Sequence, residues 1–243
     1  MNKIQFQLIP SVFFIIALAI LVALGSWQVK RFNWKTNLIE TISSRIGLPP
    51  KPLPPFDTWK QLDLEQLNYR AVKAAGRFNY KDEVHLFTHV PAGKATYSGV
   101  GYWVIVPFLL DGGGTVLVNR GFVPEKFKQQ RTRLRSQVEG RQTITGFIKT
   151  DQGANYFTPE TDFKNNIWYT RNIKAISEHL ELENAAPFLI ALSGEVNKDS
   201  LPQPREINVN LENRHLGYAI TWYGLALTLI GVFAVFSFKS RKE

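Results

Sequence analysis

The sequence predicts a membrane-anchored α+β protein: two transmembrane helices flank a mainly antiparallel β domain, either a sheet or a partly open barrel, with helical decorations. Two uncharged apolar runs, residues 8–27 and 216–238, predict the helices. Each run is long enough to cross a hydrocarbon core of about 30 Å as a helix. The polar segment between them is too long for a simple connection and alternates β-branched and aromatic runs with turns.

The predicted order has five parts. They are a tail (1–7), a first transmembrane helix (8–27), a β-rich domain (28–214) with a proline-rich connector (47–55), a second transmembrane helix (215–238) and a basic tail (239–243). The first run exceeds the roughly 7–15 apolar residues of a cleaved signal peptide, so we expect a retained anchor. Basic residues flank both sides of each run, and charge alone leaves the orientation open.

Alternating apolar residues predict the strands of the domain. They are expected at 69–80, 82–90, 100–110, 115–120, 141–149, 166–170 and 187–192. The turn residues Asp111–Gly114 predict a hairpin between the third and fourth of these strands. Helices are expected at 58–67 and 173–182, and the first transmembrane helix is expected to continue towards Ile46, where the connector ends it.

Composition excludes several classes of protein. The chain has no cysteine, which rules out disulfides, a CxxC redox pair, covalent haem attachment and a thiolate copper carrier. Hydrolase, zinc-peptidase and nucleotide-binding motifs are missing, so we expect no enzymatic activity. His85 and His89 lie on a predicted strand, where their Cα atoms are roughly 13 Å apart, too far to share a metal.

The net charge of +9 favours an anionic partner. A membrane surface fits a membrane-anchored domain better than nucleic acid does, and we expect no nucleic-acid binding. The densest basic run is KFKQQRTRLR, residues 126–135. It is either a solvated loop or helix, or a contact with anionic lipid headgroups.

The second apolar run carries two distinct faces. Small residues recur at helical spacing on one of them: Gly217, Thr221, Gly224, Thr228 and Gly231. Small residues let another helix approach closely inside a membrane, and the first run offers Ala19, Ala23 and Ser26 as partners. The roughly opposite face carries His215, Tyr218 and Trp222, and it would remain free if the glycine face packs on a helix.

His215 stands where this run leaves water. A neutral imidazole is a common axial ligand of haem iron. Tyr218 and Trp222 would contact an apolar macrocycle, and Arg214 would pair with its propionates. The alternative is an interfacial histidine that hydrogen-bonds a headgroup or a neighbouring residue.

Several stretches in order along the chain resemble the surfeit locus protein 1 family, assembly factors of haem–copper cytochrome c oxidase. They are LGSWQVKRFNWK, GYWVIVPF, DGGGTVLVNRGFVP and NRHLGYAITWYGLAL. The resemblance implies cytoplasmic tails and a main domain on the periplasmic side of a bacterial inner membrane, or in the mitochondrial intermembrane space. It also implies a chaperone role at the step where haem a enters oxidase subunit I.

The resemblance further implies that haem a is the transiently bound cargo and that His215 is its axial ligand. Haem a synthase would be the donor and subunit I the acceptor, with membrane lipids as further contacts. The alternative is a membrane-anchored scaffold that stabilises the oxidase subunit without a cofactor. A regulator of envelope polymer length would share the two-anchor layout, but the chain lacks its long heptad repeats.

Four further residues belong to the family pattern. Trp27 and Gln28 are expected to set the first helix at the interface. Arg120 would either pair with a propionate or an acidic partner, or close a salt bridge at the strand end. Gly121 would supply a turn conformation.

Overall fold

The computed structural model describes residues 3–92, 97–194, 200–204 and 213–242. The chain divides into two compact units. One contains Met1–Ser43 and Asn208–Glu243, and the other contains Ser44–Ile207. We call the first the helix pair and the second the β domain.

The helix pair consists of α1 (Lys3–Ile46) and α4 (His215–Lys242). α1 continues beyond the apolar run as predicted and ends at Ile46, before Gly47 and the proline-rich connector. The predicted tails are largely helical, and residues 1, 2 and 243 lie outside the described residues. Ile9–Ile46 and His215–Lys239 are both long and apolar enough to cross a membrane.

Within its described residues, the β domain contains eight strands and two short α-helices. The strands are β1 (Lys51–Pro52), β2 (Ala71–Phe78), β3 (Val84–Val90), β4 (Gly99–Leu110), β5 (Thr115–Pro124), β6 (Gln142–Lys149), β7 (Ile167–Trp168) and β8 (Ala185–Leu192). The helices are α2 (Leu64–Leu67) and α3 (Ile173–His179). These bounds confirm the predicted strands. The prediction succeeded because alternation of apolar and polar residues marks a strand with one buried face.

The strands close into a five-stranded barrel in the order β2–β6–β8–β5–β4, since β4 also pairs with β2. Only one pairing in this ring, β5 with β8, is parallel. β3 extends the sheet beyond β4, and the edge strands β1 and β7 pair in parallel with β2 and β3. One core cluster contains the fully buried side chains of Phe108, Val118, Phe188 and Ile190. The strand pairings confirm the predicted mainly antiparallel α+β architecture.

The helix expected at 58–67 is divided. A 3₁₀ segment covers Phe56–Gln61, and α2 is a single turn. Leu62 is extended between them, and the Asp63 carboxylate caps α2 by accepting from the backbone N–H groups of Glu65 and Gln66. An Asp in this position favours a new helix start over continuation of the old one.

A β-bulge in the barrel explains two residues of the VNRGFVP motif. Val104 pairs with Gly121 and Ile105 with Asn119, so Arg120 is the additional residue. Gly121 has φ +128°, and a Cβ there would overlap the backbone of Gln203. Only glycine meets both requirements, and the bulge turns the Arg120 side chain out of the regular alternation.

Candidate functional site

α1 and α4 pack along one side of each helix. The rings of Phe14 and Phe233 stack with centroids 4.0 Å apart. A Cβ on Gly25 would lie 2.9 Å from the Tyr223 ring, so glycine lets that ring approach α1 closely. On α4, Ala219 and Ala226 are almost completely buried. Small residues thus bring the two helices together, as expected for a membrane pair.

The face that packs on α1 differs from the expected one. Nothing described lies within 4 Å of a Cβ placed on Gly217, Gly224 or Gly231. The hydroxyls of Thr221 and Thr228 donate to carbonyls of their own helix, Gly217 O at 3.1 Å and Gly224 O at 2.9 Å. The glycine stripe is therefore open, and the helix contacts come from the side that carries His215. Packing of the glycine face on the first helix was the condition for a free His215 face, and the described residues do not meet it.

His215 is held by Gln28. The imidazole Nδ1 lies 2.7 Å from Gln28 Oε1, across 187 residues of sequence. An amide oxygen only accepts, so this contact places the ring proton on Nδ1 and leaves the lone pair on Nε2. Protein-bound metals commonly meet histidines in this state, with the second ring nitrogen bonded to an oxygen acceptor. The pair thus holds the imidazole in one orientation, with Nε2 turned away from the Gln28 contact.

Asn213 fastens the start of α4 to the same face of α1. Its Nδ2 donates to Phe32 O and Thr36 Oγ1, both at 3.1 Å. Gln28, Phe32 and Thr36 are spaced four residues apart and so share one face of α1. Sequence reasoning missed Asn213, because its two partners lie 181 and 177 residues away in the sequence.

Four other predicted site residues lie around the same end of the helix pair. Tyr218 and Trp27 are both 56 % exposed, and Trp222 is half-buried. Arg214 is exposed beside His215. Arg31 stacks its guanidinium on the Trp34 ring, 4.0 Å from the centroid. Exposed aromatic rings and cations next to one oriented imidazole fit the donor set that an amphipathic, carboxylate-bearing macrocycle requires.

Arg120 belongs to the β domain. Its guanidinium lies over the rings of Tyr80 and Phe78, 4.9 and 5.4 Å from their centroids, and donates to Ser136 O at 2.5 Å. Burial lowers the pKa of Arg120, while Tyr80 and Glu83 oppose that change. Within the described residues it forms no ion pair with a carboxylate. Ring stacking and a carbonyl therefore replace the salt bridge expected at the strand end.

The basic run 126–135 is not a uniformly solvated segment. It folds into two 3₁₀ segments, Glu125–Phe127 and Gln130–Ser136. Arg133 is buried and forms a two-pronged ion pair with Glu83. Lys128 Nζ donates to Asn165 O at 2.7 Å. Two of its cations are therefore used to hold the domain together.

Glu83 is the centre of this buried cluster. His85 Nε2 lies 2.9 Å from the same carboxylate that Arg133 contacts. Burial alone would raise the pKa of Glu83, but hydrogen bonds from His85 and Arg133 outweigh it and lower the pKa. His85 and His89 both lie on β3, as predicted. Within the described ranges, no three histidine, aspartate or glutamate side chains gather as metal ligands would.

Together these features define a class of protein: a β-barrel domain between two helices that can span a membrane. The comparison with known families makes this class specific. The model of the SURF1 family matches residues 15–227. The chain therefore belongs to the SURF1 family, which is known for cytochrome c oxidase assembly factors.

Individual relatives agree with this assignment. Human Surfeit locus protein 1 is 34 % identical over 214 residues, which cover 84 % of this chain and 69 % of the human protein. The protein of that name from Takifugu rubripes is 34 % identical over 213 residues, covering 83 % and 86 %. A SURF1-like protein of Monosiga brevicollis is 32 % identical over 227 residues, covering 90 % and 83 %.

Proposed function

We propose that this protein is an assembly factor of haem–copper cytochrome c oxidase that holds haem a and delivers it to subunit I. The contact between His215 Nδ1 and Gln28 Oε1 carries the proposal. It keeps the imidazole in the tautomer whose Nε2 can bind iron, and it fixes the plane of the ring. The proposed location is a bacterial inner membrane or the mitochondrial inner membrane, with the β domain on the periplasmic or intermembrane-space side.

The proposed roles follow from the surroundings of His215. Tyr218 and Trp222 would contact the macrocycle, and Arg214 would face its propionates at the aqueous end of α4. Haem a synthase is the proposed donor and oxidase subunit I the acceptor, with lipids covering the rest of the helix pair. A carrier must release its cargo, and a single imidazole with apolar contacts permits release more readily than a closed ligand set.

The test is the visible spectrum of the full chain purified after co-expression with haem a synthesis. We expect haem a bands at near-stoichiometric level in the unsubstituted protein. His215→Ala should remove or shift them, since it deletes the proposed ligand. His89→Ala is the matched control, because His89 is an exposed histidine on β3 and its loss should leave the spectrum unchanged.

A scaffold without a cofactor is a second candidate, and one observation favours it. The open stripe of Gly217, Gly224 and Gly231 offers an apolar helix face with nothing described on it. Under this candidate the three glycines contact a helix of the nascent subunit, and Trp27 and Gln28 only set the position of α1. A colourless protein that still supports oxidase assembly would favour the scaffold and contradict the carrier.

A further inference from the structure

The β domain contains a cavity that the proposed carrier role does not use. Its volume is about 340 Å³, and it is lined by side chains from β3, β4, β5, β6 and β8 and from the segment around β7. This size falls at the lower end of the range for small-molecule sites. Its walls combine three aromatic side chains, Phe87, Trp103 and Tyr169, with two cations, Lys149 and Arg171.

The two cations are half-buried and lack a carboxylate partner. Within the described part of the chain, no Asp or Glu oxygen lies within ion-pair distance of Lys149 or Arg171. The nearby Asp151 carboxylate accepts from the backbone N–H of Ile173 at 2.7 Å and so serves the start of α3. Arg171 Nε donates to the Thr150 carbonyl at 2.7 Å, which satisfies one donor of its guanidinium.

Partial burial lowers the pKa of both cations. Burial, with the neighbouring Arg171 charge, lowers the pKa of Lys149 to about 8. Burial also lowers the pKa of Arg171, although Tyr69 and Asp151 oppose that change. Two like charges kept together and partly shielded from water destabilise the folded protein unless an anion joins them.

Tyr69 contacts Lys149 through its ring, and its own backbone is in an unfavourable conformation. The Lys149 Nζ lies 3.6 Å from the centroid of the Tyr69 ring. Tyr69 has φ +67°, the left-handed region that bulky residues rarely adopt. Such conformations persist where surrounding structure enforces them and gather at ligand sites. Here the conformation accompanies an aromatic ring directly against the ammonium group.

The aromatic side chains provide the apolar half of the cavity. The rings of Phe87 and Tyr169 lie with centroids 5.5 Å apart. Phe87 is 39 % exposed although it sits on a strand of the domain. The Gln152 side chain adds a neutral hydrogen-bonding group to the lining. Apolar walls with a few convergent polar groups are typical of small-molecule sites.

We propose that this cavity binds a small aromatic acid, with its carboxylate or phosphate between Lys149 and Arg171 and its apolar body against Phe87, Trp103 and Tyr169. The anion would supply the charge that the described residues do not. A planar body would bury ring surface that is now exposed. This site is independent of His215 and of the proposed haem a role.

The test is calorimetric titration of the purified full chain in detergent with 2-naphthoate and with 1-naphthyl phosphate. We expect one-to-one binding of at least one of these acids, and the tighter one identifies the preferred acid group. Neutral 2-naphthamide should bind at least about tenfold more weakly, since it lacks the charge-assisted hydrogen bonds. Inorganic phosphate should also bind more weakly, because it lacks the apolar body.

Variants separate the site from general adsorption. Lys149→Met and Arg171→Met should each weaken the acid by about tenfold or more. Lys164→Met is the matched control, because Lys164 is an exposed lysine outside the cavity lining, and it should not change binding. Affinity should also fall between pH 6.5 and 9.5 in the unsubstituted protein but not in Lys149→Met, as the ammonium loses its proton.

Three results would overturn the proposal. They are absence of binding for both acids, equal binding of naphthamide or inorganic phosphate, and equal binding by the Lys149 and Arg171 variants. A folding defect would not obscure the result, because Lys149→Met removes a half-buried charge and should unfold at the same or a higher temperature. Arg171→Lys provides a second, charge-conserving variant whose affinity should lie between those of Arg171→Met and the unsubstituted protein.

Discussion

The helix pair and the β domain differ in how they satisfy polar side chains that are partly or fully buried. In the helix pair, Gln28 meets His215, and Asn213 meets Phe32 and Thr36, through neutral hydrogen bonds. The β domain also contains charged side chains that are fully or partly buried, and these form two contrasting clusters. Glu83 is matched by Arg133 and His85, whereas no described carboxylate matches Lys149 and Arg171.

Matched and unmatched charges in the β domain need different explanations. A matched buried charge such as Glu83 is explained by the fold itself, because removing one partner leaves the other uncompensated. An unmatched pair of cations costs stability, so its explanation lies outside the fold. The neutral His215–Gln28 contact lies between these cases: it is satisfied on one ring nitrogen and available on the other.

The largest expected effect comes from breaking the matched cluster. Glu83→Gln leaves the Arg133 charge buried without a partner and should lower the free energy of unfolding by about 3–5 kcal/mol. Urea unfolding of the full chain in detergent, followed by tryptophan fluorescence, measures it. Glu178→Gln is the matched control, because the Lys174–Glu178 pair is exposed, and it should change nothing measurable.

The same cluster predicts a pH dependence. The folded-state pKa of Glu83 is below its ordinary value of 4.5. Its contribution to stability is therefore fully present above that value and is lost as the pH falls through the lowered folded-state pKa. In Glu83→Gln this part of the acid sensitivity should be absent, and an unchanged acid profile would contradict the assignment.

An intermediate effect is expected at the oriented imidazole. Gln28→Leu keeps the side-chain volume but removes the acceptor for Nδ1–H, so the ring loses its fixed tautomer and plane. By analogy with other partners of metal-binding histidines, haem affinity should fall about 10–100-fold. Haem titration by absorbance measures it, and Gln66→Leu, on the one-turn helix α2, is the control. Unchanged affinity would reduce Gln28 to a helix-packing residue.

The smallest expected effect has the opposite sign. Lys149→Met removes a half-buried charge and should raise the free energy of unfolding at pH 7 by about 1 kcal/mol, after allowance for partial solvent screening. The gain should be full below pH 8 and should fade between the folded pKa of about 8 and the ordinary value of 10.5, because the lysine is then neutral in both states. A loss of stability at pH 7 would mark Lys149 as a structural residue.

Sequence reasoning located most of the secondary structure, because apolar and polar residues alternate within each strand. The strands 82–90, 100–110 and 141–149 correspond to β3, β4 and β6 within two residues. Closure of the barrel through β2 and β4 was not predictable in the same way. Pairing between strands depends on register across the sheet, and a single sequence does not contain that information.

The candidate site was predicted by residue type but not by partner. His215 stood out because an imidazole at the end of an apolar run requires an explanation. Its contact with Gln28 joins residues 187 positions apart, and only the packing of α1 on α4 reveals it. The burial of Arg133 was missed for a related reason, since a basic run looks uniformly solvated until its carboxylate partner, Glu83, is known.

The open face of α4 presents no unsatisfied hydroxyl group at Thr221 or Thr228. Because each already bonds to a carbonyl of its own helix, a helix arriving on this face breaks no hydrogen bond, and none is left unpaired when it departs. Attachment there would depend only on shape, against lipid chains that compete for the same surface. A contact of this kind is easily reversed, as the proposed role in oxidase assembly would require.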